Sequence, residues 1–339
     1  MTRNESKVEP VFVVGMNGSG TTMLLDNLGR HPELYAFPHE TRLIPYFIAR
    51  QQRFGDLEND DNYRKLWEEV LSITAFKFAN NHKPLPLPDN WLDRPRGLAT
   101  ILDSAFRYFA AKEGKARWCE KTPQHAQHMD KLLELYPSAK FIHVIRDGRD
   151  SAASFNRRWH RTPELTIYRW KKVVDLGRKL GRKLGEQHYM ELRYEDLTTQ
   201  PETWLRKICD FINVPFDDAV LISSQPYLNE TTRQVGQKQE MGGLKPNSGN
   251  WKTYFTKARQ RKLEAIAGHM LASCGYETDL PEADSTPASW KRRYWYAKDN
   301  LMQYLGEIGM KLTGKIERPW RIILSRPILA YRQREENKY

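Results

Sequence analysis

The sequence predicts an α/β fold: a P-loop-like three-layer domain around a central parallel sheet, followed by a helical C-terminal extension. Two observations predict the domain. Short β-branched apolar runs alternate along the chain with stretches of helical periodicity, the pattern of strands buried between two helical layers. The first of those runs, Val11–Gly15 (VFVVG), passes through a glycine-rich turn directly into a helical pattern. A third observation, a basic and aromatic stretch beyond a polar linker, predicts the extension.

Val11–Gly15 is too short for a helix and suits a buried parallel strand. From Thr21, the apolar positions Met23, Leu24, Leu25 and Leu28 follow helical spacing. Helical patterns continue over 62–80 and 97–112, joined by the extended, proline-rich KPLPLPDNW at 83–91. Pro123–Tyr136 reads as one helix, and Ala139–Ile145 (AKFIHVI) as a second buried strand. Arg146–Trp159 and Leu165–Leu184 are helical, His188–Leu192 is a third short strand, and Pro201–Ile212 is a helix with proline near its start. PEADSTPAS, beginning at Pro281, is a polar linker, so the expected domains are residues 1–280 and 281–339.

Composition narrows the class. Hydrophobic residues make up 40% and charged residues 28%, which suits a globular chain and excludes a disordered polymer. The three cysteines, Cys119, Cys209 and Cys274, are odd in number and widely spaced, so neither a disulfide framework nor a cysteine zinc site is expected. No apolar run is long enough to span a bilayer, and MTRNESKVEP lacks the apolar core of a signal peptide. A soluble, cytoplasmic protein of a reducing compartment is therefore expected. The formal net charge is +12, and residues 285–339 hold 12 basic and 5 acidic residues, a net +7. The excess sits mainly in the extension, and no nucleic-acid partner is expected.

Gly15-Met16-Asn17-Gly18-Ser19-Gly20-Thr21-Thr22 lies between a strand and a helix. Glycines allow consecutive N–H groups to point into one concavity at the positive end of a helix dipole, which makes an anion site. The spacing is that of a Walker A loop, with Thr21 where the lysine of an ATPase or kinase would stand. A glycine turn without a ligand is the alternative. A second signal is FIHVIRDGRDSAASFNRRW at 141–159. Arg146 ends a strand and Ser154 follows in the next helix, a guanidinium and a hydroxyl suited to a second phosphate. The competing account has Arg146, Asp147, Arg149 and Asp150 as a surface ion-pair cluster capping a helix.

These elements resemble the sulfotransferases that use 3′-phosphoadenosine 5′-phosphosulfate (PAPS). Ser19-Gly20-Thr21-Thr22 is similar to the family's 5′-phosphosulfate loop, with Gly18 before it, and Arg146 with Ser154 is similar to its 3′-phosphate pair. Arg193-Tyr194-Glu195-Asp196-Leu197 resembles the turn whose tyrosine contacts adenine. Lys245-Pro246-Asn247-Ser248-Gly249-Asn250-Trp251-Lys252 resembles the late segment that closes over the 3′-phosphate, with Pro246 replacing a glycine. Within the family the likeness is greatest to tyrosylprotein sulfotransferases. It implies Glu40, of Glu40-Thr41-Arg42-Leu43-Ile44-Pro45, as general base, with Arg42 assisting. It implies Lys121, of Trp118-Cys119-Glu120-Lys121-Thr122-Pro123, as the contact to the transferred sulfuryl group. Two departures stand out: Gly18 occupies a position usually held by Lys or Arg, and Pro123 occupies that of the small-molecule branch's catalytic histidine. Lys121 is then left to neutralise the leaving group, and Glu40 to act as base.

Sulfuryl transfer needs such groups whatever the family. Charge shifts to a leaving phosphate as the acceptor oxygen attacks in line, and backbone N–H groups at 18–22 with Lys121 can take it up without a metal. A partly buried glutamate can receive the hydroxyl proton. Glu40 paired with Arg42 at a helix start, and Lys121 as a surface lysine, are the plainer accounts. His39, beside Glu40, orients it, touches acceptor or sits in a loop. His125 and His128, at i and i+3 of the expected helix, lack a third ligand, so they read as a polar helix face or substrate contacts and no metal is expected. Trp91, Trp159 and Trp170 read as core or cleft wall.

The resemblance implies PAPS as donor and a hydroxyl acceptor: peptide tyrosine, carbohydrate or lipid-linked glycan. An atypical P-loop kinase or nucleotide hydrolase, and a catalytically silent binding module, are the alternatives. In the extension, Trp290, Tyr294, Ala297, Leu301, Leu305, Ile308 and Leu312 recur at helical spacing among Lys291, Arg292 and Lys298, and Pro319–Tyr331 continues the mixture. Three accounts follow: a helix packed on the catalytic domain, an anchor on an anionic membrane surface that places the enzyme at the inner membrane face, or a self-association surface.

Overall fold

The computed structural model describes residues 9–42, 44–222 and 246–312, with side chains to residue 302. The described residues fall into two compact units, one of residues 9–15, 20–42, 44–144 and 177–222, the other of residues 16–19, 145–176 and 246–312.

The first unit is built on a five-stranded sheet of β1 (Val11–Gly15), β2 (Leu34–Ala36), β3 (Arg117–Lys121), β4 (Lys140–Ile145) and β5 (Tyr189–Arg193), in the order β2-β3-β1-β4-β5. β1 pairs in parallel with β3 and β4, and β2 in parallel with β3. Alternation along β1 sorts its side chains between two layers. Val11 and Val13 join Leu24, Leu25 and Leu28 of the Thr21–Leu28 helix, and Leu205 and Ile208 of the Pro201–Phe211 helix. On the other side Phe12 stacks on Phe141 at 5.4 Å and meets Trp118 edge-on at 5.7 Å, while Trp118 stacks on Phe106 of the Leu98–Lys112 helix at 4.1 Å. The three-layer α/β expectation is met.

The second unit is helical around Ile145, Ala152, Trp170, Leu263, Ala267 and Leu271. Its elements include the Gly148–Trp159, Lys257–Ser273 and Ser289–Leu312 helices.

Three expectations are corrected. Strands β2 and β3 carry no apolar run long enough to announce them, and β3 (RWCEK) buries Glu120 and Lys121. The stretch 62–80 is two helices, Asp60–Leu71 and Thr74–Ala79, parted at Ser72 and Ile73. Pro123–Tyr136 is a 3₁₀ turn, Pro123–Gln127, followed by a helix, Met129–Leu135, with His128 between them at φ −140°. His125 is 1% exposed and lies 3.2 Å from Glu120 Oε2, so it belongs to the interior rather than to a polar helix face.

Candidate active site

In the first unit, β3 ends at Lys121, at the same edge of the sheet where β1 ends in Gly15. The segment after β2 runs past that edge. There Lys121 Nζ donates to Glu40 Oε1 at 2.8 Å, and Arg42 Nε donates to Glu40 Oε2 at 2.6 Å. Burial would raise the Glu40 carboxyl, but the charges and hydrogen bonds of Lys121 and Arg42 outweigh it and hold the group at about 2. His39 is lowered to about 4, by burial first and by Lys121 second, so its imidazole is neutral at physiological pH. Glu40, Arg42, Lys121 and His39 thus form one cluster, and Lys121 is an interior group rather than a surface lysine.

Glu120 grips the same segment. Successive strand side chains leave opposite faces, so Glu120 stands away from Lys121. Its Oε1 accepts from Thr41 N at 3.2 Å, Thr41 Oγ1 at 3.0 Å and Thr122 Oγ1 at 2.5 Å. Arg42, next in the chain, has φ 54°, a left-handed backbone uncommon outside glycine.

The Thr21–Leu28 helix begins at Gly20 without a side-chain cap. Gly20 has φ +97°, and a Cβ there would come within 2.5 Å of Tyr194 Cδ2, so only glycine fits against that ring. Tyr194, at the head of the Tyr194–Thr199 helix, is buried with the core.

The second unit holds Met16–Ser19, Arg146 and Ser154. Arg146 donates through Nη1 to the Gly18 carbonyl at 3.2 Å and through Nη2 to the Asn247 carbonyl. Its own carbonyl accepts from Trp170 Nε1 at 2.9 Å. Asp147 caps the Gly148–Trp159 helix and pairs with Arg149, which also binds Glu264 at 2.5 Å. All four residues of the Arg146–Asp150 charge cluster are buried, so it is not a surface feature. Ser154 is half-buried within that helix, and its neighbour Phe155 lies against Gly18. Ser19 Oγ and Ser151 Oγ are buried with no hydrogen-bond partner among the described residues. Lys245 lies outside the described residues.

The sequence reading missed two groups. Glu120 stands in the Trp118–Pro123 motif with nothing local to mark its role. Asp150 accepts from Gly249 N at 2.6 Å and Trp251 N at 3.0 Å, fixing the Gly249–Trp251 turn. Burial raises its carboxyl, and the two N–H donors oppose that without cancelling it. Neither role has a local signal, because the partners lie 79 and about 100 residues away in sequence. Among the described residues, no group of three or more His, Cys, Asp or Glu side chains is placed to hold a metal.

Residues 10–218 match the sulfotransferase family. A protein-tyrosine sulfotransferase of Drosophila melanogaster is 28% identical over 224 residues, covering 62% of this chain and 39% of the relative. Protein-tyrosine sulfotransferase 1 of Danio rerio is 27% identical over 287 residues, covering 79% of this chain and 72% of the relative. In fold, the chain is similar to the sulfotransferase domain of the Synechococcus PCC 7002 olefin synthase. That likeness has a TM-score of 0.55 at 23% identity, covering 82% of this chain and 98% of the domain.

Proposed function

The chain belongs to the sulfotransferase family, and from that premise we propose that it transfers the sulfuryl group of PAPS to a hydroxyl, with peptide tyrosine as the leading acceptor class. The observation that carries the proposal is the buried contact of Glu40 with Lys121 at 2.8 Å, a carboxylate and an ammonium at one sheet edge. The protein-tyrosine sulfotransferase relatives support tyrosine as acceptor, and nothing among them supports a kinase or a silent module.

The residues present fit the donor. Ser19 Oγ is buried and unpaired among the described residues, a hydroxyl suited to an anionic oxygen. The uncapped Thr21–Leu28 helix offers N–H groups from Thr21 and Thr22 to negative charge. PAPS supplies the sulfuryl group and a phosphate leaving group. Gly18, Ser19, Gly20, Thr21 and Thr22 would hold its 5′ end, and Arg146, Ser154 and Lys245 its 3′-phosphate, with Tyr194 beside the adenine. Lys121 places positive charge where negative charge develops, without solvent reorganisation. Glu40 is ionised and takes the acceptor proton, its basicity rising as Lys121 turns to other negative charge. Arg42 keeps Glu40 oriented, and neutral His39 adjoins the acceptor side.

Labelled PAPS, incubated with the enzyme and with peptide, glycan and lipid fractions, tests the proposal. Label in acid-labile tyrosine sulfate is the expected outcome. Label confined to glycan or lipid would replace the acceptor, and none in any fraction would overturn the activity.

A further inference from the structure

Within the second unit, the Ser289–Leu312 helix docks through a polar face. Asp299 is buried and accepts from Thr162 N at 3.0 Å and from Thr162 Oγ1 at 2.7 Å. Arg292 donates to the Tyr168 hydroxyl at 2.5 Å, and Arg169 lies over the Tyr296 ring at 5.2 Å. The chain leading to the helix is fastened too, with Lys171 Nζ donating to Asp284 Oδ1 at 2.5 Å and to the Ser285 carbonyl at 3.0 Å.

At about 100° per residue, Arg292, Tyr296 and Asp299 share one side of the helix, and Trp290, Tyr294, Ala297 and Leu301 share the other. The apolar side faces outward. Trp290 is 66% exposed, Tyr294 61% and Leu301 56%. Packing an amphipathic helix on its own domain ordinarily buries the apolar stripe, and here the described residues leave the stripe uncovered. A contiguous exposed stripe of two aromatic rings and a leucine marks an interaction surface.

Charge identifies the partner. Lys291 and Lys298 border the stripe on one side and Arg293 on the other, and all three are exposed. The one acidic residue between 289 and 302 is Asp299, and it is buried. Among the described side chains of the helix, the outward surface is therefore apolar with cationic margins and no carboxylate. A second copy packed by a two-fold contact would set these cations against themselves. An anionic headgroup layer meets them with opposite charge, and its boundary accommodates Trp and Tyr rings. We propose that the Ser289–Leu312 helix is a docking surface for an anionic lipid bilayer, lying in the headgroup plane. It does not span, since no helix among the described residues is long and apolar enough to cross a membrane.

Flotation of the full chain with phosphatidylcholine vesicles, with and without phosphatidylglycerol, tests this. Binding is expected with phosphatidylglycerol alone and should weaken as salt rises. The combined Lys291→Glu, Arg293→Glu and Lys298→Glu variant should lose at least about tenfold in vesicle partitioning. The combined Trp290→Ser, Tyr294→Ser and Leu301→Ser variant should lose partitioning even at low salt. These side chains are exposed, so circular dichroism should be unchanged in both variants. No binding by the full chain, or binding that neither variant weakens, overturns the proposal. Concentration-dependent self-association that the serine variant abolishes, without vesicle binding, overturns it in favour of a second copy.

Discussion

Glu40 and Lys121, 81 residues apart in sequence, meet at 2.8 Å with 6% and 8% of their side chains exposed. Together with Arg42 this contact holds the Glu40 carboxyl at about 2, against an ordinary 4.5. A depressed folded value means that the pairing contributes stability above the unfolded value of 4.5 and loses it as pH falls toward 2. Urea midpoints of wild type and Glu40→Gln should therefore differ at neutral pH and converge as pH approaches 2. A gap that stays constant over that range would show that Glu40 gains nothing from its partners.

The same substitution separates binding from chemistry. Glutamine keeps the size of Glu40 and cannot accept the acceptor's proton, so kcat should fall by about 10²–10⁴-fold. Affinity for adenosine 3′,5′-bisphosphate, measured by calorimetry, should change little. Wild-type kcat in Glu40→Gln would remove it as base.

Arg146 donates through Nη1 to the Gly18 carbonyl and through Nη2 to the Asn247 carbonyl. If it also holds the 3′-phosphate, Arg146→Ala should cost about 1.5–3 kcal/mol in binding adenosine 3′,5′-bisphosphate, a charge-assisted loss. Adenosine 5′-monophosphate should lose much less. Arg146→Lys keeps the charge but not the planar fork, and should recover only part. Equal losses for the two nucleotides would take Arg146 away from the 3′ position.

What the sequence displays and what it conceals divides along side-chain chemistry rather than burial. β1 and β4 were legible because VFVVG and AKFIHVI are apolar throughout or nearly so, as strands covered on both faces must be. β3 was not, because Arg117, Glu120 and Lys121 give a five-residue strand three charges. Those charges are tolerated inside because each finds a partner: Arg117 the Ile212 carbonyl at 2.6 Å, Lys121 Glu40, and Glu120 three hydroxyl or amide donors. Glu40 and Lys121 were nominated through short motifs, yet their contact was invisible, since no periodicity encodes a pairing between distant segments. The glycine loop was legible in full, because left-handed backbone at Gly18 and Gly20 demands a residue type that can be read directly.

Gly18 meets a backbone requirement of the loop. Its φ is +84°, and a Cβ there would stand 3.0 Å from Phe155 Cε2. Installing a lysine at this position should cost about 1–2 kcal/mol for the left-handed conformation, besides displacing Phe155. Gly18→Lys should accordingly unfold at lower urea and turn over no faster than wild type. Gly18→Ala should show most of the stability loss, which isolates the backbone component. A faster and equally stable Gly18→Lys enzyme would mean that the loop readily adopts another conformation.

Glu120 sets the position of Glu40 without touching it. Its Oε1 accepts from Thr41 N, Thr41 Oγ1 and Thr122 Oγ1, and Oε2 lies 3.2 Å from His125 Nδ1. Burial would raise its carboxyl, but His125 and these hydrogen bonds lower it below the ordinary value, so it remains an ionised acceptor. Arg42 N donates to Thr122 Oγ1 at 3.4 Å, and with Thr41 held, the left-handed turn at Arg42 is fixed between two anchors. Glu120→Ala leaves buried donors unsatisfied at about 1–3 kcal/mol each, which threatens folding as well as activity. Thr41→Val is the sharper probe, because it deletes one hydroxyl donor from a segment that keeps its backbone bond. It should lower kcat by roughly threefold to tenfold, about the worth of one hydrogen bond, while leaving the donor KM unchanged. Glu120→Gln, which retains one carbonyl oxygen for Thr41, should keep more activity than Glu120→Ala. A Thr41→Val enzyme with wild-type kcat, or one whose loss falls entirely on KM, would reduce Glu120 to a structural carboxylate.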